Sequence, residues 1–353
     1  MVRLSNRAMN FDKAHRDVFI LFGSLVIALY ALALVLSHGF LAWGSVVADY
    51  ASGTVKVAGI SVLILVIWHM VAAMRAKTPS LPKVRLVLGD TALWTWLAIP
   101  ALMAPVFFAS FTIMKTLIGL RLGFGWDAFF VDLDAAIFGT DPWRLTHAMF
   151  GPLATRGLEY LYVGWGVVLV FSMTLVPIFA RRAHSTRFLL AMFLVWPVTG
   201  LLLAAVFASA GPCFAYLFHP ELAARFQPLQ DSLAQLLPGN DLIRLSQMYL
   251  AKYWDYSEAV KGGGISAFPS VHVSVAVLYV FAAWRILALR LAAIAFALAI
   301  WLGSIHFGYH YAVDGLAALV IVPACWFAAG RVLNLVAGRH RLPDALSGAP
   351  SAV

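Results

Sequence analysis

The amino-acid sequence predicts an all-α, polytopic membrane helix bundle, on three observations. Of 353 residues, 62% are hydrophobic and only 12% charged, and a mean hydropathy of +0.87 lies outside the range of soluble domains. Apolar windows long enough to cross ~30 Å of hydrocarbon, about 20 helical residues, recur along the chain. The basic residues sort into alternate loops. Helices rather than barrel strands are expected, because lipid offers the backbone no hydrogen-bond partner and the windows lack a two-residue alternation.

The windows give about eight spans, in order residues 18–36, 55–73, 91–113, 158–179, 188–209, 271–287, 291–305 and 312–329. The first follows a charged stretch and lacks a small-residue cleavage site, so it is expected to be retained as a helix. With the second it forms an N-terminal pair, residues 1–89, ahead of a six-span core, residues 90–330, and a tail, residues 331–353. Arg3, Arg7, Lys13 and Arg16 precede span one; Arg75, Lys77, Lys83 and Arg85 follow span two; Arg181, Arg182 and Arg187 separate spans four and five. Arg285 and Arg290 divide six from seven, and Arg331, Arg339 and Arg341 follow eight. One face thus holds 16 of the 25 basic residues beside 4 acidic ones, and the other holds 9 basic and 12 acidic. This positive-inside pattern predicts cytoplasmic termini and explains the net charge of +9 without invoking nucleic acid.

Two connections on the opposite, outer face are long, residues 114–157 and 210–270. The first interleaves Phe124, Trp126, Phe129 and Phe130 with Asp127, Asp132 and Asp134, a pattern suited to interfacial helices whose carboxylates are solvated. The second predicts an amphipathic helix near residues 221–237 and ends in Lys261-Gly262-Gly263-Gly264, either a close approach to an anion or a hinge. Cys213 and Cys325 lie too far apart along the predicted bundle to form a disulfide.

The chemistry concentrates in Pro269-Ser270-Val271-His272 and His310-Tyr311-Ala312-Val313-Asp314. His272 opens span six and His310 immediately precedes span eight, so the hairpin of spans six and seven returns the chain and lets the two histidines meet at the outer interface. Asp314, four residues after His310, is placed to accept a hydrogen bond from its imidazole, which fixes the tautomer and raises the basicity of the other nitrogen. A histidine held this way is a good nucleophile toward phosphorus. Ionisable groups on membrane helices are costly without a purpose, which favours function for this set; His306 and the remaining histidines read as structural. Charges crowd the span ends and no paired broken helices occur, which argues against a non-catalytic transporter; a scaffold would tolerate loss of the histidines.

These motifs resemble the type 2 phosphatidic acid phosphatase superfamily, whose members carry Pro-Ser-x-His and a later His-x-x-x-Asp on adjacent spans. Within it, residues 267–274, the His310-Tyr311-x-x-Asp314 form, Trp126-Asp127 through Leu133-Asp134, and Phe138-Gly139-x-Asp141-Pro142 are most similar to the inositol phosphorylceramide synthase branch. The resemblance implies that His310 forms a phosphohistidine, that His272 protonates the departing alkoxide and that Asp314 orients His310. It implies a phospholipid donor and a lipid alcohol acceptor, or water in a phosphatase acting on a phosphomonoester or pyrophosphate lipid, with no cofactor and no metal. The charge bias places the site on the periplasmic, extracellular or lumenal face, with a bacterial inner membrane expected over the Golgi.

The sequence departs from the phosphatase pattern at Val271, where glycine is usual, and at Ile305-His306, where an arginine would follow Ser304. The superfamily's Lys-x6-Arg-Pro motif is absent; Lys115 and Arg121 come near it, one residue too close and with Leu122 in place of proline. These departures favour the transferase branch. Candidate phosphate-binding residues are therefore Ser270, Lys115, Arg121, Arg244, Lys252 and Lys261. Metal-assisted transfer would need convergent carboxylates, and the spacing of Asp127, Asp132, Asp134 and Asp141 fits no ligand pattern; a solvated interfacial face accounts for all four.

Overall fold

The computed structural model describes residues 2–37, 43–239, 241–254 and 260–339. His38 and His340, read as structural, and most of the predicted tail lie outside the described residues. Every element described is helical. In chain order these are α1 (Val2–Leu36), α2 (Trp43–Arg75), α3 (Ser80–Leu88), α4 (Thr91–Leu122), α5 (Asp127–Phe138), α6 (Pro142–Met149), α7 (Pro152–Phe179) and α8 (Arg182–Pro197). A π-helical stretch, Val198–Leu203, joins α8 to α9 (Ala204–Val206). There follow α10 (Ala215–Phe218), α11 (Pro220–Leu236), α12 (Leu242–Tyr253), α13 (Val271–Ala282), α14 (Leu287–His306), α15 (Ala312–Leu316) and α16 (Ala318–Arg339).

Among the described residues six segments are long and apolar enough to cross a membrane: Gly44–Arg75, Ala101–Leu122, Pro152–Phe179, Arg182–Val206, Leu287–His306 and Ala312–Val336. They coincide with six of the expected spans, and the shorter apolar helices Ile20–Leu36 and Val271–Ala282 occupy the first and sixth places. The protein is a polytopic membrane helix bundle. Local chemistry sets the ends of these helices. Asp90 accepts the Leu93 N–H at 3.0 Å to start α4, and Gly123, at φ +69°, stops it. The first long connection therefore begins at residue 123, not 114.

The sixth helix differs most from expectation. At 12 residues α13 rises about 18 Å, well short of a bilayer, because residues 283–286 turn instead of continuing the helix. It packs centrally among α8, α14 and α16. Since α14 has 20 residues, the pair is unequal, and the chain must fold back after α14 to meet the start of α13. It does so: the His310 N–H donates to Ser304 O at 3.2 Å. Among the described residues the connections are largely helical. The predicted amphipathic helix is α11, and α12 is tied down where Gln247 Nε2 donates to Phe307 O at 2.8 Å and the Tyr309 hydroxyl donates to Ile243 O at 3.2 Å.

Candidate active site

Ser270 is the N-cap of α13; its hydroxyl oxygen accepts the Val273 N–H at 3.3 Å, so His272 stands in the first turn. His310 lies just before α15 rather than on a helix with Asp314. Their contact arises because Asp314 reaches back over the α15 N-terminus, where Oδ2 accepts the Tyr311 N–H at 2.9 Å and the His310 Nδ1–H at 3.3 Å. The closer partner of Nδ1 is the Ala267 carbonyl, at 2.8 Å. A carbonyl only accepts, so the proton resides on Nδ1 and Nε2 keeps its lone pair. Burial, followed by the Lys115 ammonium, holds the His310 imidazole down at about 3, in its neutral form. The His272 and His310 ring centroids are 6.1 Å apart, with the ring planes at 61°.

The His272 ring packs against Trp165, with centroids 4.2 Å apart, and stacks on Tyr162 at 5.2 Å and 15°. The Trp165 indole N–H donates to His272 O at 3.0 Å, fixing the backbone there.

Two aspartates read as solvated are instead buried and hold the His310 segment, which corrects that expectation. Asp127 takes N–H groups from Ala210 at 2.8 Å and Gly211 at 2.8 Å, the Tyr311 hydroxyl at 2.8 Å and His219 Nε2–H at 3.0 Å. Asp134 takes the Ala312 and Val313 N–H groups at 2.7 and 3.0 Å, capping the helix that carries Asp314. Asp141, also expected to be solvated, is buried and pairs with Arg225 at 2.7 Å, while Asp132 is exposed as expected. Asp127 and Asp134 are seven residues apart, two helical turns on one face, and that spacing was the signal available in the sequence. Gly211, at φ +97°, lies so close to Tyr309 O that a Cβ would collide with it.

His306 is fully buried, its Nδ1 paired with Thr146 Oγ1 at 3.1 Å and its Nε2 with Thr155 Oγ1 at 3.0 Å. Both ring nitrogens are spent on the fold.

His272 lines a cavity of about 980 Å³ bounded by α2, α4, α7 and α8. Lys115 and Lys261 line the same cavity with it. Of the other candidate phosphate ligands, Arg121, Arg244 and Lys252 are exposed and absent from the lining, and Ser270 is fully buried with its hydroxyl oxygen committed to the helix cap. Physically, Arg121 and Arg244 sit on solvent-facing sides of α4 and α12, which helical periodicity turns away from the interior. Cys213 and Cys325 are both free thiols.

A family model described as PAP2 superfamily matches residues 129–328, more than half the chain and including His272, His310, Asp314 and Asp134. The chain belongs to the PAP2 superfamily. Membership supports a lipid enzyme of the phosphatase or phosphotransferase type. No curated protein and no solved structure matches the chain. Three features of this PAP2 superfamily protein lie before the matched region: Asp127, Lys115 and the α2 wall of the cavity.

Proposed function

We propose that this protein is a metal-independent lipid phosphotransferase that moves a phosphoryl headgroup from a phospholipid to a lipid alcohol, as in the inositol phosphorylceramide synthase branch. The carrying observation is the His272 and His310 pair, with ring centroids 6.1 Å apart, His310 Nε2 unprotonated and His272 lining an apolar cavity. His310 Nε2 attacks phosphorus, a P–N bond forms, and the P–O bond to the diacylglycerol alkoxide breaks as His272 gives it a proton. In the second half the acceptor hydroxyl loses its proton to His272, its oxygen attacks the phosphohistidine, and His310 is released. Asp314 and the Ala267 carbonyl keep the Nδ1 proton in place and stabilise charge on the ring.

Metal independence is supported by how the carboxylates are used. Asp127 and Asp134 direct their oxygens at N–H and O–H donors, so they do not converge on a cation. The charge bias supports cytoplasmic termini and a site facing the periplasm or lumen, and a bacterial inner membrane is the proposed location.

The test is product identification by mass spectrometry. Purified protein in detergent and chelator is incubated with phosphatidylinositol, with and without ceramide. Ceramide-dependent appearance of a phosphosphingolipid is expected, absent with His310→Ala or His272→Ala. Inositol phosphate released regardless of ceramide would replace transfer by hydrolysis, and full activity in either variant or loss on chelation would remove the mechanism.

A further inference from the structure

Resting on the phosphotransferase reading, we propose that the cavity holds the hydrocarbon chain of the phosphate-bearing lipid inside the bundle, with Lys261 joining Lys115 at its phosphate and α2 limiting the chain length accepted.

The cavity has one charged end. Lys115 of α4, Lys261 of the 260–264 segment and His272 of α13 line it together, and no acidic side chain does among the described residues. An anion therefore finds only attraction there. Lys261 is brought to this place by a specific clasp. The Tyr50 hydroxyl of α2 accepts the Gly262 N–H at 3.2 Å and hydrogen-bonds Thr112 Oγ1 of α4 at 2.9 Å, while the Lys261 ammonium lies 5.5 Å from the Tyr50 ring centre. Two residues on, Gly264 has φ +87°, and a Cβ there would stand 2.9 Å from Thr116 N and 3.0 Å from Lys115 C. The glycine run is thus neither a hinge nor a bare anion loop; its close packing on α4 sets Lys261 beside Lys115.

Away from that end the walls are apolar and run deep. Both Trp94 and Lys115 line the cavity from α4, and 21 intervening helical steps put them roughly 30 Å apart, the hydrocarbon thickness of a bilayer. Small residues, Ala58 on α2 and Ala98 and Ala101 on α4, make the width. The two hydroxyls in the deeper wall, Ser61 and Thr174, bond to each other at 2.7 Å and so present little polarity to an occupant. A long slot with cations at one end and hydrocarbon walls beyond fits an amphiphile with an anionic head. Its α2 and α4 walls both lie before the region that the family model matches.

The experiment uses His310→Ala protein, which binds without turnover, and photoactivatable phosphatidic acid or phosphatidylinositol carrying a diazirine at the chain end. Cross-links are mapped to residues by mass spectrometry. Labelling is expected on Ala58, Ser61 or Thr174, falling about tenfold with Lys261→Met and recovering with Lys261→Arg. In otherwise wild-type protein, Ala58→Phe should shift the rate ratio of oleoyl to octanoyl donors at least about tenfold toward octanoyl. Labels confined to the outward-facing Leu63 and Ile67 of α2, which are 56% and 50% exposed, would show that the chain stays in the bilayer and overturn the proposal. So would an unchanged chain-length ratio in a folded Ala58→Phe protein. Internal labelling without any wild-type turnover would instead sink the phosphotransferase reading and leave the chain site standing.

Discussion

The two histidines meet across a site whose halves are built on opposite principles. On the His310 side the ring shares Nδ1 between Ala267 O and Asp314, and Asp134 and Asp127 hold the next residues, so a buried polar network dictates one orientation. On the His272 side the ring forms no hydrogen bond among the described residues; aromatic faces confine it, and it borders the cavity. Under the proposed mechanism this difference is a division of labour. A nucleophile needs one lone pair aimed at phosphorus, and fixed hydrogen bonds supply that aim. An acid that must also act as base should have no ring proton tied to a fixed partner, and the His272 ring has none among the described residues.

The strongest way to break this comparison is to replace each histidine and vary the leaving group. His310→Ala should lose about 10³-fold or more in turnover with every donor. His272→Ala should lose about 10²- to 10⁴-fold with an alkyl leaving group and recover most of that with a nitrophenyl one, which departs without a proton. Initial rates on both donors check this, and equal rescue of both variants would erase the assigned roles.

Stability should separate the halves next. Asp127→Ala strands the Ala210 and Gly211 N–H groups and the Tyr311 hydroxyl, and a loss of about 3 kcal/mol or more is expected, with Asp134→Ala similar. His272→Ala should stay within about 1 kcal/mol, since its ring leaves no polar partner behind. Thermal midpoints in detergent measure the contrast, and equal effects would dissolve it.

A smaller effect follows pH. The His310 imidazole sits at about 3 in the fold, below its ordinary value of about 6.5, so the unfolded chain binds a proton that the folded one refuses. Its contribution to stability is therefore fully present above about pH 6.5 and is lost as pH falls toward 3. Between pH about 7 and about 4, wild type should lose more stability than His310→Ala; the reverse order would mean that the folded ring accepts the proton. The smallest effects should come from the exposed cations: Arg121→Ala and Arg244→Ala should leave KM within about twofold, whereas Lys115→Met raises it about tenfold.

Much of this arrangement was legible in the residues. Hydrophobic windows marked the helices because burial in lipid is a local property of some twenty consecutive side chains. Pairing of His272 with His310 was legible because a hairpin of two helices returns the chain, although α13 is shorter than expected and the return needs the fold-back from Ser304 to His310. Asp127 and Asp134 were misread, since an acidic residue between aromatics on an amphipathic helix looks solvated until its partners are known. Those partners lie more than eighty residues away at Ala210 and Gly211, and far beyond that at Tyr311 and Ala312.

The sequence by itself determined the membrane class, the helical form and the approach of His272 to His310, all of which rest on composition, period or the return of one helical hairpin. Only the tertiary structure decided that the Ala267 carbonyl is the nearer partner of the His310 proton, that Ser270 caps a helix, that Lys115 and Lys261 alone among the candidate cations reach the cavity, and that α2 forms one of its walls. The physical reason is that hydrogen bonds and cavities are made by groups that meet in space, and neither direction nor distance between remote helices is written in the local pattern of either one.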